Sequence, residues 1–273
     1  MSTLRITILG CGSSVGVPRA DGEWGACDPG EPRNVRSRCG LLVQQWAGDA
    51  AGAERDCTSV LIDTSPDLRG QLIKAGVAHV DGVLYSHDHA DQTHGIDDLR
   101  ALVMRTRRRI KIWMDAPTRK TLLRRFGYCF LGEGSYPAIL EDSGELHHGQ
   151  DVTIEGPGGV LRFTPLDQDH GHGTLSLGFR FGPAAYSNDV VLLPERSLER
   201  LGGLDLWIVD ALRYQQHPTH ANLAQALAWI ERLKPKRAML TNMHIDLDYG
   251  RVAAETPAHV DPAFDGWSID LPA

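Results

Sequence analysis

A chain of 273 residues can bury a full core, and its 42% hydrophobic and 23% charged residues are those of an ordinary globular protein. A net charge of −7 argues against a protein whose main work is coating nucleic acid, and no apolar run reaches membrane-spanning length. The five cysteines (Cys11, Cys27, Cys39, Cys57, Cys129) are odd in number, scattered and without a Cys-x-x-Cys, which speaks against a disulfide framework and for a reducing compartment.

The first strand-like run covers 4–9, with none of the charged-then-apolar layout of a signal peptide, so a cytoplasmic protein is expected. The turn Gly10-x-Gly12-x-x-x-Gly16 is not a dinucleotide fingerprint, because a long polar segment rich in Gly and Pro (18–38) follows it instead of a helix. Further strands are expected over 40–43, 60–63, 83–85 and 110–114, then 160–166, 175–181, 190–193, 206–209 and 238–241. Between them, a helix opening near Pro66 and stopped by Gly76, and others over 97–103, 117–126 and 221–233, are expected; the last carries Leu223, Leu227, Ile230 and Leu233 on one face. Segment 127–149, with Tyr128, Phe130, Tyr136, His147 and His148, reads either as a lid or as a loop pinned by its own aromatics. The basic run from Arg105 to Lys111 reads as a solvated helix end, ahead of a guide for a phosphate-bearing substrate. No linker divides the chain, so a single domain over 1–273, of layered sheets with outer helices, is expected.

The densest chemistry lies in Leu-Tyr-Ser-His-Asp-His-Ala-Asp-Gln-Thr-His, residues 84–94. An apolar strand that opens into polar residues two apart can aim His87, His89 and Asp91 at one point, a donor set for Zn²⁺, Mn²⁺ or Fe²⁺. Other strand ends carry four more candidates: His170, Asp189, His220 and His244. His94 and His172 are expected beside ligands, supporting them through hydrogen bonds. Asp210, ending a strand, can orient a ligand.

That order of motifs resembles the metallo-β-lactamase superfamily over nearly the whole chain. Within it, the Ile-Leu-Gly-Cys-Gly-Ser-Ser-Val-Gly-Val-Pro opening and His220 in His-Ala-Asn-Leu look like the branch of the phosphonate-pathway cyclic phosphodiesterase and the tRNA 3′-processing ribonuclease. The resemblance implies an α+β, four-layer αββα sandwich. It also implies a structural carboxylate at Asp63, metal ligands His87, His89, Asp91 and His170, a bridging carboxylate at Asp189 and a phosphate-facing His220. Three positions depart from the family pattern. Gln92 stands where a second histidine is usual, and Asn242 stands where the last histidine ligand is usual, with His244 two places on. Only Cys27 remains of a cysteine cluster that holds a structural zinc, with Gly22 and Trp24 in place of its partners.

The expected function is a metal-dependent hydrolase, a phosphodiesterase cleaving a small, cyclic or nucleotide-like phosphodiester with a metal-activated water, oriented by Asp91 or Asp189 and assisted by His220. One or two divalent ions, Zn or Mn, are expected. The second depends on whether His244 makes good what Gln92 and Asn242 lack, since neutral amide oxygens suit harder ions. RNA 3′-end processing and nucleotide binding by a degraded site are the competing readings, RNA being the less expected partner. No membrane partner is expected, and a homodimer is left open.

Overall fold

Apolar strand segments alternate with amphipathic helical pieces, and a computed structural model describing residues 2–273 turns this pattern into two mixed sheets. In chain order the strands are β1 (Ser2–Gly10), β2 (Gly40–Ala47), β3 (Thr58–Ile62), β4 (Gly82–Leu84), β5 (Ile110–Met114), β6 (Leu140–Glu145), β7 (Val152–Gly156), β8 (Gly159–Asp169), β9 (Leu175–Phe181), β10 (Ala184–Ser187), β11 (Leu206–Asp210), β12 (Arg237–Thr241), β13 (Val260–Pro262) and β14 (Ser268–Pro272). The helices are α1 (Leu68–Ala75), α2 (Ala90–Thr93), α3 (Arg100–Thr106), α4 (Ala116–Leu131), α5 (Glu195–Leu198), α6 (Leu223–Leu233) and α7 (Tyr249–Glu255). Two compact units make up the chain: 1–9, 40–162 and 268–273 form one, and 10–39 with 163–267 form the other.

The first unit holds the sheet β14-β1-β2-β3-β4-β5-β6. Strands β3, β4 and β5 run parallel, with Ile62 opposite Leu84 and Leu84 opposite Trp113. Parallel strands are covered on both faces, which is why Gly82–Leu84 is wholly apolar and fully buried. Behind them Leu61, Val83, Tyr85, Leu99, Ile112, Leu122 and Leu140 form one core. Helix α1 stops where expected, at Gly76 in the left-handed region (φ 69°). Helix α4 is capped by Asp115, whose side chain accepts from Thr118 N at 2.9 Å, and runs on to Leu131 past a break at Phe126.

The second unit contributes β9 to β13, where β10, β11, β12 and β13 are parallel and β9 is antiparallel to β10. Helix α6 begins at Leu223 because Asn222 accepts from Gln225 N at 2.9 Å, a cap contributing ~1 kcal/mol. His220 is therefore outside the helix and free of capping duty. The apolar face of α6 buries Leu223, Ala226 and Ile230, each large side chain contributing roughly 1.5–3 kcal/mol.

Three local expectations change. Residues 190–193 form no strand: Asp189 turns the chain at φ 54°, and the amides of Val191 and Leu192 both donate to Asp169 O. About half of segment 127–149 is regular, since α4 extends to Leu131 and β6 runs from Leu140 to Glu145. Its short remainder is pinned, not lid-like: Tyr136 stacks edge-on against Tyr128, donates to Asp97 Oδ1 at 2.6 Å and lies under Arg100 at 3.6 Å. Strands β6, β7, β13 and β14 and helix α7 are further elements that the alternation did not announce. All five cysteines are buried free thiols, and no described helix is long and apolar enough to cross a membrane.

Candidate metal centre

In the first unit, β4 ends at Leu84 and delivers Tyr85-Ser86-His87 at the sheet's C-terminal edge. Asp63, at the end of β3, adopts φ 67° and buries its carboxylate, which accepts from Ser86 N and Ser86 Oγ, both at 2.8 Å. Burial pushes Asp63 up to about 7, while the two Ser86 bonds pull the other way. A hydroxyl has one proton. With Ser86 Oγ giving it to Asp63, the 3.0 Å contact to His87 Nδ1 is a bond donated by the ring. His87 is thereby fixed as the Nδ1–H tautomer, with Nε2 carrying the lone pair a metal takes. The His89 ring meets His87 edge-on at 4.5 Å between centroids, so the two imidazoles converge as expected.

Asp91 does not follow them along an extended chain. The strand has ended, and His89 is the N-cap of α2, so Asp91 sits in a helical turn, half-buried. Gln92 is buried there, and its carbonyl accepts from Thr64 N at 2.8 Å, tying α2 to the Asp63 turn. His94 is exposed, edge-on to Phe126 at 5.5 Å.

In the second unit, His170, Asp189 and His220 place one ligand atom each within 4.8 Å of the others. His170 follows β8, and its Nδ1 lies 2.8 Å from Thr219 O, which can only accept, so its Nε2 is again the lone-pair nitrogen. Gly171 makes this approach possible: at φ 78°, a Cβ there would stand 2.3 Å from Pro218 O. Asp189 is buried, with Oδ2 accepting from Asn188 Nδ2 at 2.7 Å and Oδ1 accepting from Asn242 Nδ2 at 3.3 Å. His220 donates Nδ1–H to Asp210 Oδ2 at 2.9 Å and lies edge-on to His170 at 4.8 Å. Asp210, at the end of β11, is fully buried, and that burial raises its pKa against the pull of His220. Of the six non-glycine residues with positive φ among the described residues, Asp63, Asp189 and Asn242 belong to these two groups, which marks strain held where chemistry is placed.

His244 Nε2 takes a bond from Arg19 Nη2 at 2.7 Å, and its Nδ1 lies 3.2 Å from Asp246 Oδ1. Nε2 is thus covered by a permanent cation. Asn242 supplies an N–H to Asp189 where a metal would compete for the same oxygen. His172 is exposed at φ 51°.

Four supporting residues were not foreseen. Ser86 and Thr219 set histidine tautomers, and Arg19 engages His244. Arg36 is a buried guanidinium bonded to Leu247 O at 2.7 Å and Asn34 Oδ1 at 3.0 Å, beside Cys27 Sγ at 3.9 Å, and it clamps the long loop around that remaining cysteine. None had a sequence signal beyond residue type, because each acts on a partner distant in the chain or through a backbone group.

A family profile described as "Beta-lactamase superfamily domain" matches residues 58–245. A solved diphosphatase from the PhnP family is 31% identical, covering 98% of each chain with a TM-score of 0.85. Zn²⁺-bound PqqB from Methylobacterium extorquens (15% identical, covering 98% of this chain and 100% of that one, TM-score 0.72) and human short-form tRNase Z (15%, 98% and 100%, TM-score 0.63) share the fold. An octanoyltransferase of Porphyromonas gingivalis is 27% identical over 272 residues, or 96% of this chain, which spans about half (51%) of that relative's length. The chain therefore belongs to the metallo-β-lactamase superfamily, with the PhnP-family diphosphatase among its relatives, and has that superfamily's αββα class of fold. Members of the superfamily are metal-dependent hydrolases, and the histidine and aspartate groups above are of the kind that bind a divalent ion.

Proposed function

We propose that this protein is a metal-dependent phosphoesterase that cleaves a small phosphodiester or a diphosphate-linked nucleotide. The observation that carries this reading is the His170, Asp189 and His220 group, with ligand atoms within 4.8 Å and histidine tautomers set by Thr219 O and Asp210. The likeness to a diphosphatase of the same family supports the substrate class.

The donors fit a divalent ion of the zinc or manganese type: imidazole nitrogens held by Nδ1–H bonds, plus a buried carboxylate. His170 and Asp189 of the second unit would hold it there, and His87, His89 and Asp91 of the first unit are donors of the same kind. Such an ion supplies Lewis acidity, lowering the pKa of a coordinated water from ~15.7 to about 7. Asp189 fixes its two oxygens through Asn188 and Asn242 and so keeps one orientation. His220 is read as substrate-facing because its side chain is 15% exposed whereas Asp189 is 3% exposed. With Nδ1–H anchored on Asp210, Nε2 can hold a proton toward the phosphoryl or leaving oxygen, and Asp210 stabilises the imidazolium. Since His244 is occupied and Asn242 is neutral, one ion per chain is bound tightly and a second only weakly.

Emission spectroscopy of the purified protein with turnover of bis(p-nitrophenyl) phosphate and of ADP-ribose, under Zn²⁺ and Mn²⁺, tests the reading. About one ion per chain and saturable hydrolysis are expected. Tight nucleotide binding without hydrolysis under either ion would replace the enzyme with a binding protein.

A further inference from the structure

Two buried side chains that the proposed reaction leaves unused, Gln168 and Ser176, meet the turn that carries Asp189. They stand opposite each other in the antiparallel ladder of β8 and β9, so both project from the same face. Burying an amide and a hydroxyl is costly unless each is bonded, so where their bonds go is informative. Ser176 Oγ lies 2.7 Å from Asp189 O, and Gln168 Nε2 lies 2.8 Å from Asn188 O and 3.1 Å from Ser176 Oγ.

The acceptors fix the direction of every bond. A backbone carbonyl only accepts, so the Ser176 proton goes to Asp189 O, and the Gln168 nitrogen, not its oxygen, faces Asn188 O. Having given its one proton away, Ser176 Oγ accepts from the second N–H of Gln168. One chain of donors thus ends on both carbonyls of the Asn188-Asp189 pair. The next carbonyl, Val190 O, accepts from Ala221 N at 2.6 Å, and Val190 N donates to Asp210 Oδ2 at 3.1 Å.

Gln168 is stationed there at a cost. Its Oε1 is buried with no donor among the described residues. Room for that oxygen exists because residue 178 is glycine: a Cβ there would stand 2.4 Å from it. Against the cost stands the φ of 54° at Asp189, a left-handed backbone that such a residue keeps only when its surroundings over-determine it. Asn188, held by its carbonyl, in turn donates Nδ2 to Asp189 Oδ2 at 2.7 Å. The bonds to the turn's backbone therefore reach the carboxylate itself.

We propose that Gln168 and Ser176 are positioning residues, which hold the strained turn so that the Asp189 carboxylate is aimed before a divalent ion arrives. This rests on the metal-dependent phosphoesterase reading and deepens it: affinity for the ion is set from two strands behind the carboxylate, by residues that do not touch the ion.

Competition of the purified full-length protein with a chromogenic chelator for Zn²⁺, run beside urea unfolding, tests the network. Gln168→Met and Ser176→Ala should each weaken Zn²⁺ binding about tenfold. Gly178→Ala, which pushes Gln168 aside without touching Asp189, should weaken it too, and combining it with Gln168→Met should weaken it no further. Ile230→Val removes a buried methylene from α6 of the same unit; it should lower stability and leave Zn²⁺ affinity unchanged. Wild-type affinity in both Gln168→Met and Ser176→Ala would overturn the inference, as would an equal loss in Ile230→Val or a wild-type protein that binds no Zn²⁺. If Gln168→Met does not fold, Ser176→Ala decides alone. The phosphoesterase reading fails separately, through absence of turnover on either substrate named above, whereas the network stands or falls on affinity.

Discussion

Replacing His79 with Gln tests whether the turn into β4, the strand that presents His87 and His89, is fastened by a buried imidazolium. His79 Nδ1 lies 2.9 Å from Glu54 Oε1, while Nε2 lies 3.0 Å from Cys57 O and 3.5 Å from Asp81 Oδ2. Both ring nitrogens face acceptors, so the ring is held protonated, and the bonds to Asp81 and Cys57 push its pKa up to about 11. Taken from the ordinary 6.5, that rise is equivalent to roughly 6 kcal/mol. It is an upper bound, because the Glu54 side chain keeps 27% of its surface in water and is screened there. Breaking a buried pair costs ~3–5 kcal/mol, so about 3 kcal/mol is expected near pH 6. A pKa raised on folding means that the native state holds the proton more tightly. The contribution is therefore complete below pH 6.5 and drains away as pH rises toward about 11. Urea unfolding of wild type and His79→Gln near pH 6, 8 and 10 reads the difference directly, other titrating groups cancelling. The gap should shrink steadily with pH. A gap equal at all three values would refute the imidazolium.

Ser86→Ala removes the bridge between Asp63 and His87 Nδ1 and should weaken Zn²⁺ affinity about 10–100-fold, measured by competition with a chromogenic chelator; unchanged affinity would show the bridge to be incidental. Asp210→Asn keeps the shape but withdraws the charge behind His220, so kcat on ADP-ribose should fall about 10²-fold with metal content unchanged. Loss of the metal together with activity would instead make His220 a ligand. Asn242→His restores an imidazole where the superfamily usually has one, at a backbone cost of ~1 kcal/mol for its φ of 62°, and should raise bound metal above the wild-type stoichiometry by emission spectroscopy.

The elements nearest the chemistry were the most legible. Strands β5 and β9 end where their apolar runs end, and the His87, His89 pair converges because two-residue spacing past a buried strand allows little else. Legibility fails where the backbone leaves regular geometry. Asp91 was placed by extending a strand that had stopped at Leu84, and residues 190–193 looked like a strand because their composition does not register that Asp189 turns the chain. Edge strands β6 and β14 alternate buried and exposed positions only weakly, so polarity hid them.

The roles of individual histidines depend on what holds Nδ1: another segment supplies that partner for His170 (Thr219) and His220 (Asp210), while for His87 it is the adjacent Ser86. Residue type placed these three and His244 near strand ends. It could not separate His244 from the others, although an arginine from a loop more than two hundred residues away covers its second nitrogen. Either nitrogen of a neutral imidazole can take a metal, so the partner that holds one nitrogen selects the other. His170 and His244 differ in the partner that folding brings to the ring, Thr219 O at Nδ1 of one and Arg19 at Nε2 of the other.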